Sequence, residues 1–377
     1  MSQVQQTEPT LEALAPLEGG AEAVQGRTPW QLFYVRFKRD RVALLAAGVV
    51  LLLIALALLA PVFSKFVVHR GPNDLNQGYT SDISVPLLGP SKIAWFGVDA
   101  LGRDIFIRTL YGARTSLQIA ILATGISLVI GIALGLMAGF VGGKLDTFIS
   151  RLIDIVLSLP LLLLAIGVGA ACGASVTGCS GTWIPVVFWG VVAVGGLALG
   201  FESGRPLVGV LVAVGAAVAA ASLLVAGVSP TIQPGIPLVT GIIALFGWPY
   251  VARIVRGQTL SLREREFVEA ARATGYGNLH IMFREILPNM VASIIVVATL
   301  LIPQNILFEA ALSFLAVGVP AGTPSWGGML SDATNGALYR IAWWMLFFPG
   351  MFLVVTTLAF NLLGDGLRDA LDPRAGR

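Results

Sequence analysis

The chain has 377 residues, of which 56% are hydrophobic and only 12% charged, with a net charge of +3. A soluble globule cannot hide so much apolar surface and a disordered chain needs the opposite composition, so this is an integral membrane protein. Two cysteines and two histidines exclude a disulfide framework or a cysteine metal cluster and leave little for acid–base work.

Residues 1–27 are polar and small, and are expected to form a disordered cytoplasmic tail rather than a signal peptide. Thr28-Pro29 reads as an N-cap followed by proline at the first helical position. Trp30, Phe33, Tyr34 and Phe37 follow at helical spacing with Arg36, Lys38 and Arg39 between them. That pattern predicts a short helix lying on the cytoplasmic leaflet; a plain extension of the first span is the alternative. A hydrocarbon core about 30 Å thick needs roughly 20 apolar helical residues, and Val42–Ser64 makes the first span. The interfacial helix, this span and the start of an external segment make up residues 28–80.

Lys65–Arg114 is that external segment, rich in Pro, Gly, Asn and Asp up to Pro90. It ends in Gly97-Val98-Asp99-Ala100-Leu101-Gly102-Arg103-Asp104, beyond which Asp104 and Arg108 are spaced to pair on a short helix. A solvated charged face is the expectation there.

Thr115–Gly143 predicts a second span. The charge-free runs Ile155–Phe201 and Pro206–Ala252 are each long enough for two, broken at Cys172–Thr182 and at Ser229–Pro237. Ile286–Val317, interrupted only by Glu309, and Ile341–Gly364 close the set, giving about eight spans in an all-α polytopic protein. No strand-period alternation competes, which excludes a β-barrel. The short loops carry their Lys and Arg on one side, so both termini are expected in the cytoplasm. Residues 112–364 then form the transmembrane domain and 365–377 a cytoplasmic tail. Cys172 and Cys179 fall in an external loop, where a small-loop disulfide and two free thiols both stay open.

Arg253–Pro288 is the most informative cytoplasmic stretch. Arg263 to Thr274 reads as a short amphipathic helix stopped by Gly275, with Phe267, Ala270, Ala271 and Thr274 on one face. Asn278 is placed to cap a second helix that runs through Ile281, Phe283 and Ile286 to Leu287-Pro288 and the next span. A helix–turn–helix between two spans suits docking, because alanine lets a partner groove approach closely. A helix merely resting on the membrane surface is the bland reading.

The chain has no ATP site of its own: Gly142-Gly143-Lys144-Leu145 lacks the first glycine and the Ser or Thr of a P-loop. Glu309 is the one carboxylate in an otherwise uncharged span, preceded by Pro303, Gln304 and Asn305. A charge at membrane depth faces the bundle or a wet cavity. Gln304, Asn305 and Glu309 therefore either line or gate the pathway, or Glu309 is a structural partner within the bundle.

Glu269-Ala270-Ala271, Gly275 and Leu287-Pro288 resemble the cytoplasmic Glu-Ala-Ala loop of permease subunits in bacterial ABC importers, except that Glu285 stands where the general motif has Ile. Further blocks resemble the oligopeptide/dipeptide permease C-subunit family: Asp99 to Asp104 with Tyr111–Leu117, Arg253–Gln258, Glu309–Leu315, Pro324–Gly327 and Asn361–Arg374. The resemblance covers about Pro29–Arg374 and implies a type I importer fold of six core helices. Here a two-helix hairpin, residues 183–227, is inserted in the external junction. It also implies a homologous permease, two cytoplasmic ATPases that hold ATP and Mg, and an extracytoplasmic binding protein. Phe267, Glu269, Ala270, Ala271, Gly275, Leu287 and Pro288 become the ATPase-coupling loop. The chain itself is expected to bind no cofactor and no nucleic acid and to perform no catalysis. The solute implied is a di- or oligopeptide, with nickel complexes and oligosaccharides carried by relatives. The rival class is a proton-coupled secondary transporter using Glu309, which predicts inverted repeats and several intramembrane carboxylates.

Overall fold

The computed structural model describes residues 29–75, 88–160, 162–167, 179–180, 214, 231–232, 235–320 and 322–371. Helix α1, Pro29–Arg39, is separated from α2, Arg41–Val62, by Asp40. Asp40 has extended backbone (φ −82°, ψ 102°), and its Oδ1 accepts from the Val42 and Ala43 amides at 2.9 and 3.1 Å. That N-cap starts α2 afresh, so α1 is not an extension of the first span. Its Phe33 and Phe37 rings stack with centroids 5.7 Å apart. A π-helical stretch, Phe63–Val68, carries α2 on to a left-handed residue, His69.

Helix α3, Ile105–Val141, starts ten residues before the expected Thr115, because Asp104 caps it and nothing breaks it before Gly142 at φ 75°. Helix α4, Gly143–Ser158, runs past the expected start of the third span at Ile155 and stops where Pro160 follows an extended Leu159 (φ −75°, ψ 133°). The residue before a proline is pushed out of the helical region, and that sets the stop. The rest of the expected third span and the hairpin 183–227 lie largely outside the described residues. Flanking that hairpin, Cys179–Ser180 pairs antiparallel with Thr231–Ile232, Cys179 opposite Ile232.

Helix α5 spans Ile236–Leu262 and α6 spans Glu266–Ala273. One helical turn, Asn278–His280, and a π-helical segment, Ile281–Ile286, lead into α7, Leu287–Phe314. Helix α8, Trp326–Thr334, a 3-10 turn and α9, Trp344–Leu371, complete the chain. Among the described residues, five stretches are long and apolar enough to cross a membrane: Arg41–Val68, Ile105–Val141, Ile236–Leu262, Asn278–Phe314 and Trp344–Leu371.

The α3–α5 pair is the most extensive helix contact. Its cause is Gly131, Gly135 and Gly139, one per turn along α3. A Cβ on them would lie 2.5 Å from the Val251 Cβ, 2.7 Å from the Ala252 carbonyl and 2.6 Å from the Thr259 Cβ. Between helices in lipid the gain comes from close van der Waals packing, and only glycine permits this approach. Around that pair α7 packs on α9 and α3, and α2 packs on the same two.

Candidate functional site

Two groups of residues stand apart, one at each end of the bundle. At the end where α5 hands over to α6, Arg265 starts the short helix and Gly275, at φ +82°, ends it. The Gly275 amide donates to the Arg272 carbonyl at 3.0 Å and the Tyr276 amide to the Ala271 carbonyl at 3.1 Å. This is a Schellman closure, which requires a left-handed residue where glycine stands. Gly277 rather than Asn278 caps the next turn, and no side chain serves as its cap.

The α6 face differs from the expected one. Val268 and Ala271 are buried in a cluster with Leu136, Phe140, Val251, Ile281 and Ile286, and Phe267 is half-buried against it. Glu269, Ala270 and Thr274 are exposed, as are Tyr276, Leu279, Phe283 and Pro288, while Leu287 is half-buried. The two alanines of the motif thus point different ways: Ala271 anchors α6 to its own chain, and Ala270 lies on the open side. Beneath α6, the Arg263 Nη1 donates to the Gly139 carbonyl at 3.1 Å. Arg256 grips Asp146 with both Nε and Nη2, the latter at 2.8 Å. That guanidinium holds the Asp146 carboxyl below the usual carboxylate range, against a smaller opposing effect of burial.

At the opposite end, where α3 begins, the expected solvated face is a buried charge network. Asp99 and Arg108 are each 4% exposed and Asp104 2%. Asp104 does not pair with Arg108. It caps α3 by accepting from the Phe106 and Ile107 amides at 2.9 and 3.2 Å, with Arg70 at 3.6 Å. A carboxylate on an N-cap is aimed at the free amides of the first turn, which turns it away from a side chain one turn along. Burial pushes the Asp104 carboxyl up, opposed by those two amides and by Arg70. Asp99 accepts from the Leu101 and Arg103 amides at 2.9 Å each, closing a turn in which Gly102 has φ 76°. Asp99 also pairs with the Arg103 Nε at 2.6 Å and the Arg108 Nε at 3.7 Å. The Nη2 atoms of Arg103 and Arg108 converge on one oxygen, the Asp332 Oδ2 on α8, at 3.3 and 3.7 Å.

Glu309 is fully buried. Its carboxyl accepts from the Ser116 hydroxyl of α3 at 2.6 Å and from the Ser313 hydroxyl one turn along α7 at 2.7 Å, and Ser325, the N-cap of α8, lies close enough to act on its charge. Ser313 also accepts from the Val319 amide at 3.3 Å, and Ser325 accepts from the Gly328 amide at 3.1 Å. The glutamate therefore ties together α3, α7, the turn after α7 and the start of α8. It reaches no surface of this chain, and Asn305 is likewise buried, its amide donating to Thr124 at 2.8 Å. Of the three expected path residues only Gln304 is exposed. Ser313 and Ser325 also wall a cavity of about 500 Å³ that Arg103, Arg108 and Asp332 border. Sequence reasoning missed Asp332 and the serines, although Ser313 lies one turn from Glu309 and Ser116 and Ser325 fall within blocks already singled out. Cys172 lies outside the described residues, and only the backbone of Cys179 is described.

A helical membrane bundle with a Glu-Ala-Ala helix held between two spans defines a transport subunit, and comparison with known proteins specifies which. Residues 131–377 match the family described as binding-protein-dependent transport system inner membrane component. Residues 28–90 match the N-terminal TM domain of oligopeptide transport permease C. The dipeptide transport system permease protein DppC of Alkalihalophilus pseudofirmus is 35% identical over 92% of this chain and 90% of its own length. The oligopeptide transport system permease protein OppC of Bacillus subtilis is 34% identical over 97% and 96%. The glutathione transport system permease protein GsiD of Pectobacterium atrosepticum is 36% identical over 92% of each. The chain belongs to the binding-protein-dependent transport permease family: it is a multi-pass permease subunit of an ABC importer.

Proposed function

We propose that this chain, with a homologous permease, forms the translocation path of an importer for di- or oligopeptides. Relatives named for dipeptides, oligopeptides and glutathione, itself a tripeptide, support that solute class. A binding protein outside the cell delivers the solute, and two ATPase subunits holding ATP and Mg dock in the cytoplasm. The spans turn so that both termini, α1 and α6 are cytoplasmic, as the placement of Lys and Arg favours. The α3 start, α8 and the 500 Å³ cavity then face outward.

The observation that carries the coupling role is the split face of α6. Val268 and Ala271 seat it in a cluster shared with α3, α5, the Ile281–Ile286 segment and α7, while Glu269, Ala270, Tyr276, Leu279 and Phe283 stay uncovered. A helix packed into a cluster that three spans share, and open on its other side, can move those spans when an ATPase moves it. The test is reconstitution of the two permeases and two ATPases in proteoliposomes, with the binding protein added. Peptide uptake is expected to need both ATP and the binding protein, and Glu309→Gln is expected to slow uptake without removing the ATP requirement. Uptake driven by a pH gradient in the absence of ATP would overturn the assignment.

A further inference from the structure

At the bundle end that bears the charge network, two guanidiniums converge on one carboxylate of the chain. The Nη2 atoms of Arg103 and Arg108 point at one spot beside the cavity, and the Asp332 Oδ2 occupies it at 3.3 and 3.7 Å. These are long contacts for charged partners, which settle at about 2.7–2.9 Å when well seated. The Asp332 side chain is 45% exposed, whereas those of Arg103 and Arg108 are 13% and 5% exposed. The fork is therefore fixed and buried, and its occupant is loosely held. Other atoms of the two guanidiniums are committed: Asp99 faces both Nε atoms, and Asn73 and the Pro72 carbonyl take the Arg108 Nη1. One carboxylate, Asp99, faces two guanidiniums, so once Asp332 leaves, the fork carries one uncompensated positive charge. The cavity it borders, about 500 Å³, lies in the size range that holds small organic ligands, and Ser325, Ser331 and Asn335 supply further polar atoms to its wall.

We propose that the fork of Arg103 and Arg108 is a subsite for the free carboxylate of a zwitterionic solute, and that Asp332 is a tethered competitor which that carboxylate displaces. The displaced Asp332 still faces the cavity, where the solute's ammonium can pair with it. Because Asp332 sits on α8, whose N-cap is tied to Glu309 through Ser325, displacement loosens α8 at one end while the other stays fixed. The proposal rests on the peptide reading for the identity of its ligand.

The experiment uses the membrane complex of both permeases and both ATPases in nanodiscs without binding protein, with ligand contact and affinity read by saturation-transfer NMR. The probes are alanyl-alanine, its C-terminal amide, and acetate. Alanyl-alanine is expected to bind and the amide not to; Asp332→Ala and Asp332→Asn are each expected to tighten acetate about tenfold by removing the tethered competitor, and to tighten alanyl-alanine less, because its ammonium loses a partner. Arg103→Gln is expected to abolish both. Asp332 is half-exposed, so its variants keep the fold, which an unchanged melting temperature verifies. Equal binding of acid and amide, or unchanged acetate affinity in the Asp332 variants, would overturn the subsite. Acetate tightened by Asp332→Ala in an importer that takes up no peptide would sustain the anion site and remove the peptide reading. Peptide uptake together with indifference to Asp332 would do the reverse.

Discussion

At the α3 start of the bundle, Asp99, Asp104, Arg103, Arg108, Glu309 and Asp332 are all matched by partners in the same chain. At the α6 end the motif helix buries one face in its own chain and leaves apolar Tyr276, Leu279 and Phe283 uncovered. The first region is a closed internal account of donors and acceptors, the second an unfinished surface. Damage at the buried members of the first, half-exposed Asp332 apart, is therefore expected to appear as lost folding, and damage on the open side of the second as lost coupling in an intact protein.

The largest expected effect lies in the closed region. Glu309→Ala strands the hydroxyls of Ser116 and Ser313 and opens a void, at a cost of about 2–4 kcal/mol. Thermal unfolding of the purified complex is expected to fall by several degrees, with Glu309→Gln losing much less. A pair of substitutions one residue apart separates the two faces of α6. Ala271→Arg forces a charged chain into the cluster around Phe140 and Ile286 and costs about 1–3 kcal/mol of stability. Ala270→Arg, on the exposed side, is expected to leave melting unchanged and lower the yield of co-purified ATPase.

Gly275→Val comes next. Nothing lies within 4 Å of where its Cβ would be, so the whole effect is the strain of placing a β-branched residue at φ +82°, about 1–2 kcal/mol. Uptake per ATP hydrolysed is expected to drop while the complex still assembles. The smallest effect is the pH response of the Asp146–Arg256 pair. The Asp146 carboxyl sits below its ordinary range in the folded chain, so its contribution is complete above about pH 4 and lost as pH falls through the folded value. Asp146→Asn is expected to flatten the acid side of the melting profile slightly.

How much was legible follows the same divide. The α6 helix, its stop at Gly275 and the separate α1 were readable because local chemistry sets them: a left-handed glycine, a helical aromatic spacing, a run of apolar residues. The charge network was not, because Arg103 and Asp332 lie 229 residues apart and composition cannot say that they meet. Nor was the α6 face, since Ala270 and Ala271 look alike until α3 and α5 pack beneath one of them. The α4 stop at Leu159 was available in Pro160 but was outweighed by the long charge-free run that follows.

The small antiparallel pairing of Cys179–Ser180 with Thr231–Ile232 bears on the ancestry of the chain. It brings the two points where residues 181–230 leave and rejoin the chain side by side. A segment with adjacent ends can be grafted in or trimmed away without asking the rest of the molecule to shift. Lengthening a loop whose ends are already joined is also inexpensive in chain entropy, about 0.6 kcal/mol per doubling. Excision of residues 183–227 is accordingly expected to leave a complex that assembles and still transports, measured by uptake beside the full chain. An insertion between joined ends can then be gained or lost in related lineages while the rest of the chain stays as it was.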